Sequence, residues 1–254
     1  MEHILTIQNL KYKNILNEIS LDLEKNSFNI LAGESGTGKT TLIKSILGLI
    51  KYEGQIYFEN SCINEKNINE IGVCFSSSNL LSSTVLNNLL FPLVNLGYSE
   101  KKAKKRAYEI SKKLDISSIL NKNIDDLSTY ELSVVSFACC VIHDPKLLLI
   151  DNSFDMLDNY YRNKIINYMK KMESTIVFVT NNEKDFLLAD KILFLKDGKI
   201  DSINSNELIN SEKKFIKYGV EMPFLMNLSL KLMSYEVLDD VILNVDEMVD
   251  EIWK

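Results

Sequence analysis

Positive charge is what this sequence has too little of to suit a nucleic acid. Its 29 Lys and Arg are outnumbered by 35 Asp and Glu, for a net charge of -6, and a dedicated nucleic-acid binder needs a basic face to displace counterions. A local phosphate site is not excluded, because it uses nearby donors rather than net charge. Long hydrophobic runs are missing as well. The longest, residues 134–142, is broken by Ser136 and falls far short of the ~20 residues of a membrane span. Work at a membrane would therefore need another chain to hold this one there. The opening Met1-Glu2-His3-Ile4 has no basic segment followed by an apolar one, so no signal peptide is expected. The four cysteines, Cys62, Cys74, Cys139 and Cys140, have no C-x-x-C spacing. A zinc site is not expected from them; they read as reduced thiols filling small apolar spaces. Proline and glycine are scarce, 3 and 9 in 254 residues.

What is present is an alternation of short strands and helices. Residues 4–7, 19–23 and 28–31 read as strands, and a glycine-containing loop then leads into an apolar-periodic helix over about 40–49. Residues 55–58 and 71–75 read as further strands, and 84–142 as mostly helical. Ala103, Ala107, Ile110 and Leu114 mark one face of a helix. The basic run over 101–106 reads as the solvated face of that helix. Residues 147–151 are a continuous apolar run ending in a carboxylate, which suits a strand buried on both sides of a parallel sheet; 175–180 repeats the pattern. Asp197-Gly198 between two apolar runs signals a hairpin. The tail from about 205 predicts one helix after Pro223 with Phe224, Leu225, Leu228 and Leu232 on its apolar face. A second helix starts near Asn244 and Glu247, with Met248, Val249 and Ile252 on its face.

The strongest chemical signal is Gly33-Glu34-Ser35-Gly36-Thr37-Gly38-Lys39-Thr40. It fits G-x-x-x-x-G-K-[ST] and sits between a predicted strand and a predicted helix. Glycines let backbone N–H groups curl around phosphates, and the helix N-terminus adds partial positive charge. Lys39 is expected to reach the β- and γ-phosphates of ATP, Thr40 to place its hydroxyl on Mg²⁺, and Thr41 to sit beside them. Asp151, closing the buried strand, is expected to orient the Mg²⁺ shell.

Further segments resemble the ATP-binding cassette family in order and spacing over residues 1 to about 200. Tyr12 lies where that family stacks an aromatic on adenine. Leu127-Ser128-Thr129-Tyr130-Glu131 lies at the signature, Leu-Ser-Gly-Gly-Gln or Glu. His143-Asp144-Pro145 leads into the acidic strand, and Asp155-Met156-Leu157-Asp158 lies at the dimer-contacting Leu-Asp. The tail, Tyr218-Gly219-Val220-Glu221-Met222-Pro223-Phe224 and then Asp246-Glu247-Met248-Val249, resembles the C-terminal extension of energy-coupling factor transporter ATPases. The resemblance implies an α/β fold of P-loop type: a parallel α/β core, an antiparallel β portion and a helical subdomain near 77–142. A nucleotide-binding domain over 1–204 would be followed by a helical extension over 205–254. It also implies an ATPase pair on the cytoplasmic face of the membrane, beneath a transmembrane coupling protein, with a separate membrane protein capturing the substrate.

The departures from the family concern chemistry. The Glu that polarises the attacking water is Asn152 here, which cannot take a proton. The Gln that senses Mg²⁺ and water is Ser76, and the His that contacts the γ-phosphate is Asn181. Thr129 and Tyr130 replace both signature glycines, while Ser128 keeps its hydroxyl. The three candidate catalytic positions, Asn152, Ser76 and Asn181, are thus degenerate beside an intact loop. ATP binding with weak hydrolysis is expected, and a heterodimer with an intact second cassette is favoured over self-pairing. The alternatives are an ATP-dependent structural or regulatory module without turnover, and a soluble cassette acting on ribosomes or DNA, which the acidic charge opposes.

Overall fold

The structure, a computed structural model, describes residues 2–75, 80–151, 154 and 157–253. Alternating apolar residues build the first layer. Strand β1 (His3–Tyr12) pairs antiparallel with β2 (Leu16–Glu24). After β3 (Phe28–Ala32) and helix α1 (Lys39–Ile46), strands β4 (Glu53–Phe58) and β5 (Ser61–Cys62) complete a four-stranded sheet in the order β2-β1-β4-β5.

Strand β6 (Ile71–Phe75) opens the second layer. Three helices follow, α2 (Val85–Asn95), α3 (Glu100–Leu114) and α4 (Thr129–Val141), and then β7 (Leu147–Asp151), α5 (Asn159–Met169) and β8 (Thr175–Val179). Strands β9 (Lys191–Lys196) and β10 (Lys199–Asn204) close a six-stranded sheet in the order β10-β9-β3-β8-β7-β6. All its pairings are parallel except β10 with β9. The two residues joining β9 and β10, Asp197 and Gly198, have φ of 51° and 71°, as a type I′ hairpin requires.

The continuous apolar runs of β7 and β8 are explained by two cores. Leu147, Leu149, Val177 and Val179 face α1 and the antiparallel sheet. Leu148, Ile150, Ile176 and Phe178 face the other way, toward the helices. Period-2 alternation sends successive side chains to opposite faces, so a strand covered on both sides has no polar position to offer. Ala103, Ala107, Ile110 and Leu114 form the buried face of α3, with small residues where α2 and α4 come close. None of the four cysteines is in a disulfide, and burial pushes Cys139 up to about 12, which keeps it unreactive.

The tail departs from expectation in one respect. Helices α6 (Glu212–Lys217), α7 (Phe224–Ser234) and α8 (Val245–Ile252) form it, and Asn244 caps α8 by accepting from the N–H groups of Asp246 and Glu247. The predicted apolar stripe of α7 is not its buried side. Phe224 is 62% exposed and with Leu225 and Leu228 lines an open cleft of about 500 Å³ facing Val245, Met248, Val249 and Ile252. Met226 and Ser229 are buried instead. The Ser229 hydroxyl accepts the Ile242 N–H at 3.0 Å and lies 2.8 Å and 2.9 Å from the Leu225 and Ile242 carbonyls. A satisfied serine tolerates burial, so periodicity alone misorients this helix. Among the described residues, no helix is long and apolar enough to cross a membrane.

Candidate functional site

Parallel register gathers the site at one edge of the six-stranded sheet. Phe75 pairs with Asp151, Asp151 with Val179, and Leu31 with Val179. The C-terminal ends of β3, β6, β7 and β8 therefore lie side by side, where ligands bind in open α/β sheets. The loop after β3, the carboxylate ending β7 and the segment after β8 converge there.

The loop is curled around one ammonium group. Buried Lys39 donates from Nζ to the Gly33 carbonyl at 2.6 Å and the Glu34 carbonyl at 2.8 Å. Burial pushes its pKa down, and the Asp151 carboxylate partly offsets this. Thr37 donates its hydroxyl to the Glu34 carbonyl at 3.0 Å. The Thr40 hydroxyl donates to Asp151 Oδ2 at 2.6 Å. A hydroxyl and a carboxylate together are hard oxygen donors of the type a divalent cation such as Mg²⁺ takes. Loop N–H groups at the start of α1, with Lys39, suit an anion. Ser35 and Gly36 are exposed at the rim, and Thr41 is half-buried within α1. A Cβ on Gly38 would come within 2.7 Å of Ile15 Cγ2, so the turn joining β1 and β2 covers the loop. That turn brings Tyr12, the last residue of β1, to the same side. Its ring is half-buried, and Lys13 Nζ lies 5.1 Å from the ring centroid.

Asn181 meets the loop in a way the sequence does not foretell. Its Oδ1 accepts the Gly33 N–H at 3.3 Å and its Nδ2 donates to the Gly33 carbonyl at 3.0 Å. The carboxamide is thus committed to the root of the loop. Behind it lies a buried cluster that sequence reasoning missed. Asp185 Oδ2 accepts from the Thr180 hydroxyl at 2.8 Å and from Arg162 Nη2 at 2.6 Å. Thr180 and Asp185 lie close together after β8 while Arg162 comes from α5, so no local pattern links all three.

Ser128 stands apart from the loop. It is the N-cap of α4, and with Glu131 it forms a capping box. Its hydroxyl lies 2.9 Å from Glu131 Oε2 and accepts the Glu131 N–H at 3.4 Å, while its N–H donates to Oε2 at 2.8 Å. The Tyr130 ring stacks on Tyr161, with centroids 5.4 Å apart and planes at 27°. Asp158 caps α5 by accepting the Tyr161 N–H at 2.8 Å. Ser76, Asn152, Asp155 and Met156 lie outside the described residues.

Known proteins agree with this architecture. A dimeric ATP-binding cassette in a post-hydrolysis state, bound to ADP and Pi, superimposes with a TM-score of 0.72 at 25% identity, covering 79% of this chain and 98% of that one. The cbiO1 protein of Clostridium perfringens shares the fold with a TM-score of 0.74 at 24% identity, covering 90% and 99%. In sequence, the energy-coupling factor transporter ATP-binding protein EcfA of Pediococcus pentosaceus is 28% identical over 272 residues, covering 100% of this chain and 97% of the relative. A putative ABC transporter ATP-binding protein of Mycoplasma genitalium is 28% identical over 243 residues, covering 90% of each. The model of the ABC transporter family matches residues 16–155. That stretch is more than half of the chain and holds the loop, the Thr40–Asp151 pair and Ser128, so the chain belongs to the ABC transporter family as an ATP-binding subunit.

Proposed function

We propose that this chain is the nucleotide-holding, weakly hydrolytic member of an asymmetric ATPase pair in a transporter of the energy-coupling factor type. The observation that carries the reading is the contrast between Lys39 and Asn181. Lys39 is held ready by two loop carbonyls, while the carboxamide at 181 is occupied on both sides by Gly33. Asn181 also carries no charge at any pH, so it offers a bound γ-phosphate little help.

In this reading residues 33–41 bind the phosphates, with Lys39 as the cation and Tyr12 against the base. Thr40 and Asp151 are the residues that would hold Mg²⁺. The ion would supply neutralisation of phosphate charge there. Asn152 cannot accept a proton from water, and the loss of a general base costs about 10²–10⁴ in rate. Ser128, with Glu131, is the part of this chain offered to ATP on a partner. A second cassette subunit with intact motifs would then carry most of the turnover, beneath a transmembrane coupling protein on the cytoplasmic side and with a substrate-capture protein beside it. Residues 1–204 act as the cassette, 77–142 as its helical subdomain, and 205–254 as the extension.

A second reading, an ATP-dependent structural module without turnover, is favoured by α4 alone. Its Ser128 hydroxyl is engaged in the capping box, and Tyr130, stacked on Tyr161, stands in place of a signature glycine. Titration of the full chain with ATP, with and without Mg²⁺, tests the shared core of both readings. Binding that Mg²⁺ strengthens and Lys39→Ala abolishes is expected. Binding indifferent to Lys39→Ala would sink both.

A further inference from the structure

We infer that Glu34 couples the C-terminal segment to the phosphate loop, so that residues 217–219 and Lys196 tune nucleotide affinity. The inference rests on reading residues 33–41 as the nucleotide-binding loop. Glu34 works at both its ends. Its backbone carbonyl accepts from Lys39 Nζ at 2.8 Å and from the Thr37 hydroxyl at 3.0 Å, so it fixes the two side chains that shape the loop. Its side chain leaves the loop and lies on Gly219, just beyond α6. A Cβ there would stand 2.7 Å from Glu34 Cγ and 2.8 Å from Cδ. Lys196 Nζ lies 3.8 Å from Glu34 Oε1 and donates to the Lys217 carbonyl at 2.8 Å.

The seat itself is fixed. The Tyr218 ring stacks on Phe194 of β9 at 5.1 Å, and its hydroxyl reaches Asp201 Oδ2 at 3.3 Å. The yielding partner is therefore Glu34. A carboxylate within a loop that gathers phosphate is a like charge to the ligand, and resting it on Gly219 beside an ammonium keeps it off the mouth. The Glu34 side chain is about half exposed, so the ion pair alone contributes little and the steric seat is the main element. Gly219 has φ of 63°, a conformation that a side chain adopts only at some cost.

The test is Gly219→Ala in the wild-type and in the Glu34→Ala backgrounds of the full chain. ATP and ADP dissociation constants are read by calorimetry, and amide exchange of residues 36–41 is read without ligand. With Glu34 present, the added methyl displaces the carboxylate. Affinity is expected to fall roughly threefold to tenfold, the scale of contacting pairs, and loop exchange to quicken. In the Glu34→Ala background both effects are expected to be clearly smaller, because the left-handed cost at 219 is common to the two backgrounds and cancels in the comparison between them. Equal effects in the two backgrounds, or none, would overturn the coupling. Lys196→Met gives a second arm. It is expected to weaken ATP more than ADP, with rescue by Lys196→Arg; equal affinities across the three would count against it. A wild-type chain that binds no nucleotide defeats the loop reading itself, and the exchange data then decide on the coupling separately.

Discussion

Asn181 grips Gly33 at both its N–H and its carbonyl, at 3.3 Å and 3.0 Å. An imidazole cannot reproduce this two-point contact, because its two nitrogens diverge. Asn181→His is therefore expected to lose about 1–2 kcal/mol of stability and to gain no turnover while Asn152 remains. Thermal unfolding and a phosphate-release assay check both. A turnover gain from this single change would show that the charge at 181, not the base at 152, is limiting.

The Thr40–Asp151 hydrogen bond of 2.6 Å marks where Mg²⁺ would enter. Thr40→Val and Asp151→Asn should each leave ATP binding without metal nearly intact and weaken the Mg²⁺-dependent part about 10- to 100-fold, the range seen when groups around a metal are altered. Titration of Mg²⁺ at fixed ATP reads this directly.

Lys39 gives a pH dependence with a definite sign. Burial holds its folded pKa below the unfolded value of about 10.4. The buried ammonium therefore costs stability at every pH below the folded value, and that cost fades as pH rises from the folded to the unfolded value. Its carbonyl partners keep other donors, Asn181 for Gly33 and Thr37 for Glu34. Lys39→Met should thus raise the melting temperature of the ligand-free protein near pH 7, with the gain shrinking toward about pH 10, while nucleotide binding is lost. A lower melting temperature at pH 7 would show that the two lysine hydrogen bonds outweigh the burial cost.

Asp185 holds Arg162 and Thr180 together inside the protein. Removing one partner of a buried pair leaves the other uncompensated, at about 3–5 kcal/mol. Asp185→Ala should lower stability on that scale. Asp185→Asn, which keeps an acceptor for Thr180, should cost less. Denaturant unfolding of the two variants ranks them.

Legibility in the sequence followed the range of the interactions. Residues 71–75 and 147–151 match β6 and β7 residue for residue, because strands covered on both faces leave unbroken apolar runs. The phosphate loop was legible because its glycines, Lys39 and Thr40 are contiguous. The seat of Glu34 on Gly219 and the Asn181–Gly33 contact join residues far apart in the chain, and neither residue type announces its partner. The α7 stripe misled because a helix in an open cleft and a helix in a core share one periodicity, and a single satisfied serine, Ser229, decided which side was buried.

The most direct test of the central claim is ATP binding and ATP turnover measured side by side on the purified full chain, alone and with a co-expressed cassette partner. The account predicts tight Mg²⁺-dependent binding with negligible turnover alone, turnover that appears with the partner, and a further rise when Asn152→Glu is introduced. Brisk Mg²⁺-dependent hydrolysis by the chain alone would contradict it.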